Sequence, residues 1–156
     1  MKRRMHAPTS QFRYRSPLGT IGIELADRTC VRLLLDEVEA PICSPNQPTA
    51  VWLRAYFAGQ SLPLPDVAAP RSPFQARLRK ALLTIPKGEV RTYGELANML
   101  ASSPRAIGQA LAANPLPIMV PCHRVVANHG LGGFSGGLSW KSRLLEFEKA
   151  TLPGNP

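Results

Sequence analysis

The most informative stretch of this chain is Met119-Val120-Pro121-Cys122-His123-Arg124-Val125-Val126. An apolar run delivers a cysteine fixed between a proline and a histidine, with an arginine next. A thiol is a useful nucleophile only as its thiolate, which nearby cations or proton acceptors favour. His123 and Arg124 are groups of that kind. Neighbours in sequence rarely face one another, so the pair implies a proton passed through water rather than a direct thiol–imidazole bond. A third group should orient the imidazole, and Glu146 and Glu148 are the candidate carboxylates. The competing reading of the same residues is a buried structural cysteine beside a satisfied histidine. A cysteine hydrolase fits poorly, because it needs a base facing the thiol and an oxyanion hole.

The remaining cysteines bound the environment. Cys30 lies in a strand-like run and reads as a small core residue, and Cys43 sits in a Pro-rich loop. Three cysteines with no short Cys-x-x-Cys spacing argue against a disulfide framework or a zinc site. They predict a reducing, cytoplasmic setting. Met1 to Arg15 is basic and has no apolar segment of a secretory signal, so it reads as a frayed basic arm.

The elements that must position Cys122 divide the chain in two. With 156 residues, the length fits one domain or two small ones sharing a core. Ile21, Ile23 and Leu25 alternate with Gly22 and Glu24, and Val31, Leu33 and Leu35 repeat the alternation. This predicts a hairpin or short meander within residues 12–39. Residues 50–58 read as a short helix closed by Gly59. Four prolines in residues 60–73 mark a boundary, giving domains 1–70 and 71–156.

The second half reads as helical. Phe74, Leu78, Ala81, Leu82 and Ile85 form one apolar stripe behind Ser72 and Pro73. A second helix runs from Tyr93 to Leu100, and a third from Arg105 to Ala113 behind Pro104. The pair is a candidate helix-turn-helix, with an ordinary helical hairpin as the alternative. The third helix carries one Arg, one Gln and otherwise small or apolar groups. Such a surface suits the minor groove and sequence-blind binding better than base readout, or else tight helix packing.

Charge points the same way. The chain carries 19 Lys and Arg against 10 Asp and Glu, a net +9. Residues 1–70 account for +2 and residues 71–156 for +7. A polyanionic partner is implied, either nucleic acid or an anionic membrane surface, unless the charge serves solubility alone. With 44% hydrophobic residues the chain can bury a core, and no run reaches the ~18 apolar residues of a membrane span.

Pro121-Cys122-His123-Arg124-Val125-Val126 resembles the active-site signature of the O6-alkylguanine-DNA alkyltransferases, the methylated-DNA–protein-cysteine methyltransferase family. Tyr93-Gly94-Glu95-Leu96-Ala97, Arg105-Ala106-Ile107-Gly108 and Asn114-Pro115 resemble that family's DNA-binding helices and hinge. Gly133-Phe134-Ser135-Gly136-Gly137 and residues 141–148 resemble its active-site loop and closing helix. The resemblance implies an α+β fold: an N-terminal ribonuclease-H-like sheet domain, and a C-terminal helical domain with a helix-turn-helix.

The resemblance also implies chemistry. Cys122 would take an alkyl group from O6 of a flipped guanine in double-stranded DNA, once per molecule; O4 of thymine stays open as a second substrate. His123 would relay the thiol proton, Glu148 would orient the imidazole, Asn114 would brace the hinge and Tyr93 would promote flipping. Val125, Phe134, Ser135 and Lys141 would line or support the base pocket. Carbonyls near Cys122 and Val125 would accept the guanine amino group. Tyr93, Gly94, Arg105, Ala106, Gly108, Gln109, Ala112 and Asn128 would face the duplex, with Arg105 filling the vacated stack. No cofactor, metal, membrane or second subunit is implied. Two rivals remain: a non-catalytic alkylated-base sensor, which would lack the cysteine, and a basic helix-turn-helix regulator, which would need more base-reading side chains.

Overall fold

The computed structural model describes residues 8–36, 38–134, 136–150 and 152. The chain has mixed α and β content in two compact units, Met1–Ala68 and Ala69–Pro156.

In the first unit, β1 (Thr9–Ser16), β2 (Gly19–Ala26) and β3 (Thr29–Leu34) form an antiparallel meander with β2 central. Strand β1 corrects the reading of Met1–Arg15 as a frayed arm. Thr9 to Ser16 pair in continuous register with Ala26 to Gly19, so the backbone of this segment is satisfied by the ladder. Residues 1–7 of that arm lie outside the described residues. Strand β3 departs from simple alternation. Its register steps from Glu24–Arg32 to Leu25–Cys30, leaving Val31 as the extra residue of a bulge. The bulge shifts the phase, so Cys30 is fully buried while Val31 is only half-buried. Helix α1 (Pro48–Phe57) starts at Gln47, whose side chain accepts from the N–H groups of Thr49 and Ala50. Leu53 and Tyr56 are its buried residues nearest the middle and end.

The second unit contains α2 (Pro73–Leu83), β4 (Arg91–Thr92), α3 (Tyr93–Met99), α4 (Pro104–Ala112), β5 (Val125–Val126) and α5 (Leu138–Phe147). Local chemistry explains the helix starts. Ser72 and Ser103 each cap a helix that opens on proline, and Thr92 with Glu95 forms a capping box at α3. Helix α3 ends in a Schellman motif: Ser102 N–H donates to Ala97 O at 2.8 Å and Ala101 N–H to Asn98 O at 3.4 Å. Ala101 holds the left-handed position with φ 51°. Helix α2 reaches both neighbours. Arg77 donates to Leu100 O at 2.7 Å, and Gln75 donates to Ala110 O at 3.1 Å. Leu78, Leu96, Ile107, Leu116 and Leu144 are essentially inaccessible and form the core under these helices. Among the described residues, no helix is long and apolar enough to cross a membrane.

Candidate active site

Cys122 is delivered by a tightly wound segment that Asn114 braces. The Asn114 amide donates to Val120 O at 3.0 Å, and its Oδ1 accepts from Leu116 N–H at 3.0 Å. Between them, Ile118 adopts φ 72° and Met119 N–H bonds back to Pro117 O at 2.9 Å. A β-branched residue at positive φ persists only where its surroundings hold it, and strain of this kind gathers at functional sites. Pro121 then makes an inverse γ-turn with φ −79° and ψ 66°, closed by Cys122 N–H to Val120 O at 2.7 Å. Cys122–Arg124 form a short 3-10 turn that runs into β5. Strand β5 pairs in parallel with β4, Arg91 opposite Val125 and Thr92 opposite Val126. The ladder therefore ties the turn carrying the thiol to the residue that caps α3, one position before Tyr93.

A buried polar cluster stands behind the thiol. His123 Nε2 lies 3.0 Å from Glu148 Oε2, and both side chains are fully buried. Glu148 is placed by the end of α5. There Ala150 N–H donates to Leu145 O at 2.9 Å and Lys149 N–H to Glu146 O at 3.0 Å, with Lys149 at φ 57°. Of the two carboxylates open on sequence, Glu148 meets the imidazole, whereas Glu146 is exposed. Arg124 is not the thiol's cation, contrary to the sequence reading. Its Nε donates to Glu148 Oε1 at 2.9 Å, its Nη2 to Oε2 at 2.8 Å and its Nη1 to Ile85 O at 2.6 Å. A planar guanidinium matches a carboxylate with two parallel bonds, and that fit draws it away from the cysteine. Nothing in the local pattern signals this partner, which lies 24 residues away.

The electrostatics follow from burial and these bonds. Burial would raise the Glu148 carboxyl, but the hydrogen bonds from Arg124 and His123 outweigh it and hold it well below the usual carboxylate range. Burial lowers His123 from its ordinary value, against the pull of Glu148. Cys122 is only 4% exposed. Burial pushes its thiol up to about 11, although the Asn114 amide and the Lys141 ammonium oppose the shift. Lys141 has no solvent exposure, and its Nζ donates to Val125 O at 2.6 Å and Gly133 O at 3.0 Å. Burial draws it down to about 8, against the attraction of Cys122. No hydrogen bond joins the thiol to the imidazole among the described residues, and His123 Nδ1 has no protein partner there.

Cys122 opens onto a cavity of about 650 Å3 shared with Tyr93, Arg105, Gly108, Leu111, Ala112 and Phe134. Tyr93 stands at the first turn of α3, and its Oη accepts from Gly133 N–H at 3.1 Å. Gly132 makes that approach possible. It has φ 73°, and a Cβ there would lie 2.6 Å from Tyr93 Oη. Arg105, Gln109 and Ala112 are exposed on α4, with Ala106 and Gly108 half-buried beside them. Gly94 is half-buried at the start of α3, and Asn128 is exposed in the loop after β5, away from the cavity wall. Ser135 lies outside the described residues. Among the described residues no group of three or more His, Cys, Asp or Glu could hold a metal ion.

Residues 73–150, which contain all of this cluster, match the family model of the 6-O-methylguanine DNA methyltransferase DNA-binding domain. A methylated-DNA–protein-cysteine methyltransferase from Saccharolobus solfataricus is 38% identical over 144 residues, spanning 90% of this chain and 95% of the relative. The chain belongs to the methylated-DNA–protein-cysteine methyltransferase family. Among solved structures, a Mycobacterium tuberculosis O6-methylguanine methyltransferase superposes with a TM-score of 0.76 at 33% identity, covering 95% of this chain and 97% of that one. The same organism's OGT in complex with DNA superposes with a TM-score of 0.73 at 34% identity, covering 92% and 95%. The family's DNA-binding domain starts at the proline opening α2 and ends just past Glu148. In this methyltransferase family member, that one segment supplies the thiol, the imidazole, its carboxylate and the exposed face of α4.

Proposed function

We propose that this protein repairs DNA by moving a methyl or larger alkyl group from O6 of guanine to Sγ of Cys122, once per molecule. The observation that carries this reading is a nearly inaccessible thiol on the wall of a cavity it shares with Tyr93 and Arg105. Membership of the family and the DNA-bound relative support duplex DNA as the partner. The α3 helix, the turn at Ala101 and α4 then act as a helix-turn-helix. Its small residues Ala106, Gly108 and Ala112 approach the minor groove, with Gly94, Gln109 and Asn128 toward the backbone. The three-stranded meander with α1 is a short ribonuclease-H-like domain, and the protein works as a monomer.

A guanine in the stack hides its O6 from so deep a thiol, so the base must be rotated out. Tyr93 crowds the backbone to favour rotation, and Arg105 fills the space left behind. Phe134, on the cavity wall, receives the base, and the fully buried Val125 offers only its carbonyl. The carbonyls of Cys122 and Val125 already accept from Val125 N–H and Lys141 Nζ, and each keeps a second lone pair for the guanine amino group. The thiol proton passes through water to His123 Nδ1, while Glu148 holds the ring by Nε2. The S–C bond forms as the C–O6 bond breaks, and guanine leaves with the electron pair and is protonated. At rest the thiol keeps its proton at neutral pH, since burial pushes it up to about 11.

Titration of the protein with duplex DNA containing O6-methylguanine tests the reading. One methyl per chain is expected, and none for Cys122→Ala. Repeated turnover, or transfer surviving Cys122→Ala, would sink it.

A further inference from the structure

Arg124 has no place in the reaction described above, yet its guanidinium is buried, with Nε and Nη2 both donating to the Glu148 carboxylate and Nη1 anchored on Ile85 O. We propose that Arg124 is a positioning residue for alkyl transfer: by cancelling the charge of Glu148 it keeps His123 an uncharged imidazole with a bare Nδ1. This rests on the reading that His123 takes the thiol proton.

The geometry carries the argument. A carboxylate can only accept, so the 3.0 Å contact with Glu148 Oε2 assigns the ring proton to Nε2. A neutral imidazole then has its lone pair on Nδ1, the atom with no protein partner among the described residues. A lone buried carboxylate at that distance would instead draw a second proton onto the ring and make an ion pair. The second proton would sit on Nδ1 and block it as an acceptor. Here Oε2 is shared with Arg124 Nη2 at 2.8 Å, and Oε1 is taken by Arg124 Nε at 2.9 Å. The carboxylate charge is thereby matched before the imidazole competes for it.

The other groups around the ring act in the same sense. Lys141, on α5, adds positive charge facing His123. Lys87, in the turn after α2, faces Glu148 and Arg124. Cys122, the proton donor, precedes the ring in the same turn. With Arg124 present the ring meets a net positive surround, and burial lowers its basicity further. Without Arg124, Glu148 would lose the two hydrogen bonds that match its charge, with the ring of His123 still 3.0 Å away and able to ionise.

The test follows the ring of His123 by nitrogen NMR in the full-length protein, beside single-turnover transfer across pH. In the wild type the ring should stay neutral, with its proton on Nε2, from about pH 5.5 to 8.5. Arg124→Met should raise the His123 midpoint into that range, so that the ring is mostly protonated at pH 6 and mostly neutral at pH 8.5. Transfer should then be slowed about tenfold more at pH 6 than at pH 8.5, because only the protonated ring fails as a base. A guanidinium with a packing role alone would slow transfer equally at every pH and leave the ring midpoint where it was. That result in folded Arg124→Met overturns the proposal and leaves transfer by Cys122 standing. If no methyl is transferred at all, the function fails, while the ring titration still judges Arg124. Should Arg124→Met not fold, Arg124→Met/Glu148→Gln removes both charges together. Its ring must stay neutral like the wild type, and ionisation within that pH range overturns the proposal.

Discussion

Cys122 and Cys30 show how one residue type is given two different surroundings by the fold. Both are buried, and burial pushes each thiol up to about 11. Cys122 has a cavity on one side and an Asn114 amide and Lys141 ammonium nearby, which oppose the effect of burial. Cys30 lies in the sheet, where its Sγ donates to Arg32 O at 3.7 Å. The ordinary value is 9.0, so the folded protein keeps thiol protons that the unfolded chain has released between pH 9 and 11. Stability should therefore be fully present below pH 9 and be lost as pH rises through 11. Each thiol accounts for up to about 3 kcal/mol of that loss. Urea unfolding of Cys30→Val at increasing pH should show a shallower alkaline decline than the wild type. Equal slopes would mean that the Cys30 thiol keeps its ordinary value in the fold.

Elements position the site through their ends rather than their middles. The capping box of Thr92 and Glu95 sets where α3 begins, and thereby where Tyr93 stands. One Schellman motif turns the chain from α3 toward α4, and another sets down Glu148 beside His123. Neither motif has glycine at its left-handed position, which Ala101 and Lys149 occupy. A non-glycine residue costs about 1–2 kcal/mol there, against about 0.5–1 kcal/mol of extra chain entropy lost by glycine. Ala101→Gly should accordingly stabilise the protein by about 0.5–1 kcal/mol, read as a raised urea midpoint with unchanged slope. A lowered midpoint would show that the methyl of Ala101 packs usefully in the turn. Helices α2 and α4 were legible in sequence because Ser72, Pro73 and Pro104 are local signals. The β3 bulge was not, because an extra residue at Val31 depends on pairing with another strand.

For the whole molecule the governing quantity is charge. Most of the net +9 lies in residues 71–156, the segment that also carries Cys122 and α4. Each phosphate neutralised by Lys or Arg should add about −0.9 to the slope of log affinity against log salt. Binding to duplex DNA should therefore weaken steeply with salt, with the same slope for lesion-bearing and undamaged duplexes, since the phosphate grip does not read the base. Fluorescence anisotropy across a salt series measures both slopes. Affinity indifferent to salt would remove the charge from the account of DNA binding.

By itself the sequence determined which thiol is the candidate nucleophile, the helices beside it, the two-part division of charge and the family. Those properties are written in neighbouring residues: a Pro-Cys-His-Arg run, caps within four positions of what they cap, apolar stripes of helical period. Tertiary structure alone decided which carboxylate meets His123, that Arg124 serves Glu148 and not the thiol, and that Ile118 is held at φ 72° below Cys122. It also decided that the Cys122 thiol keeps its proton at neutral pH, because burial pushes it up to about 11. The reason is physical: His123 and Glu148 are 25 positions apart, and the desolvation that sets their charges comes from packing that no local pattern records.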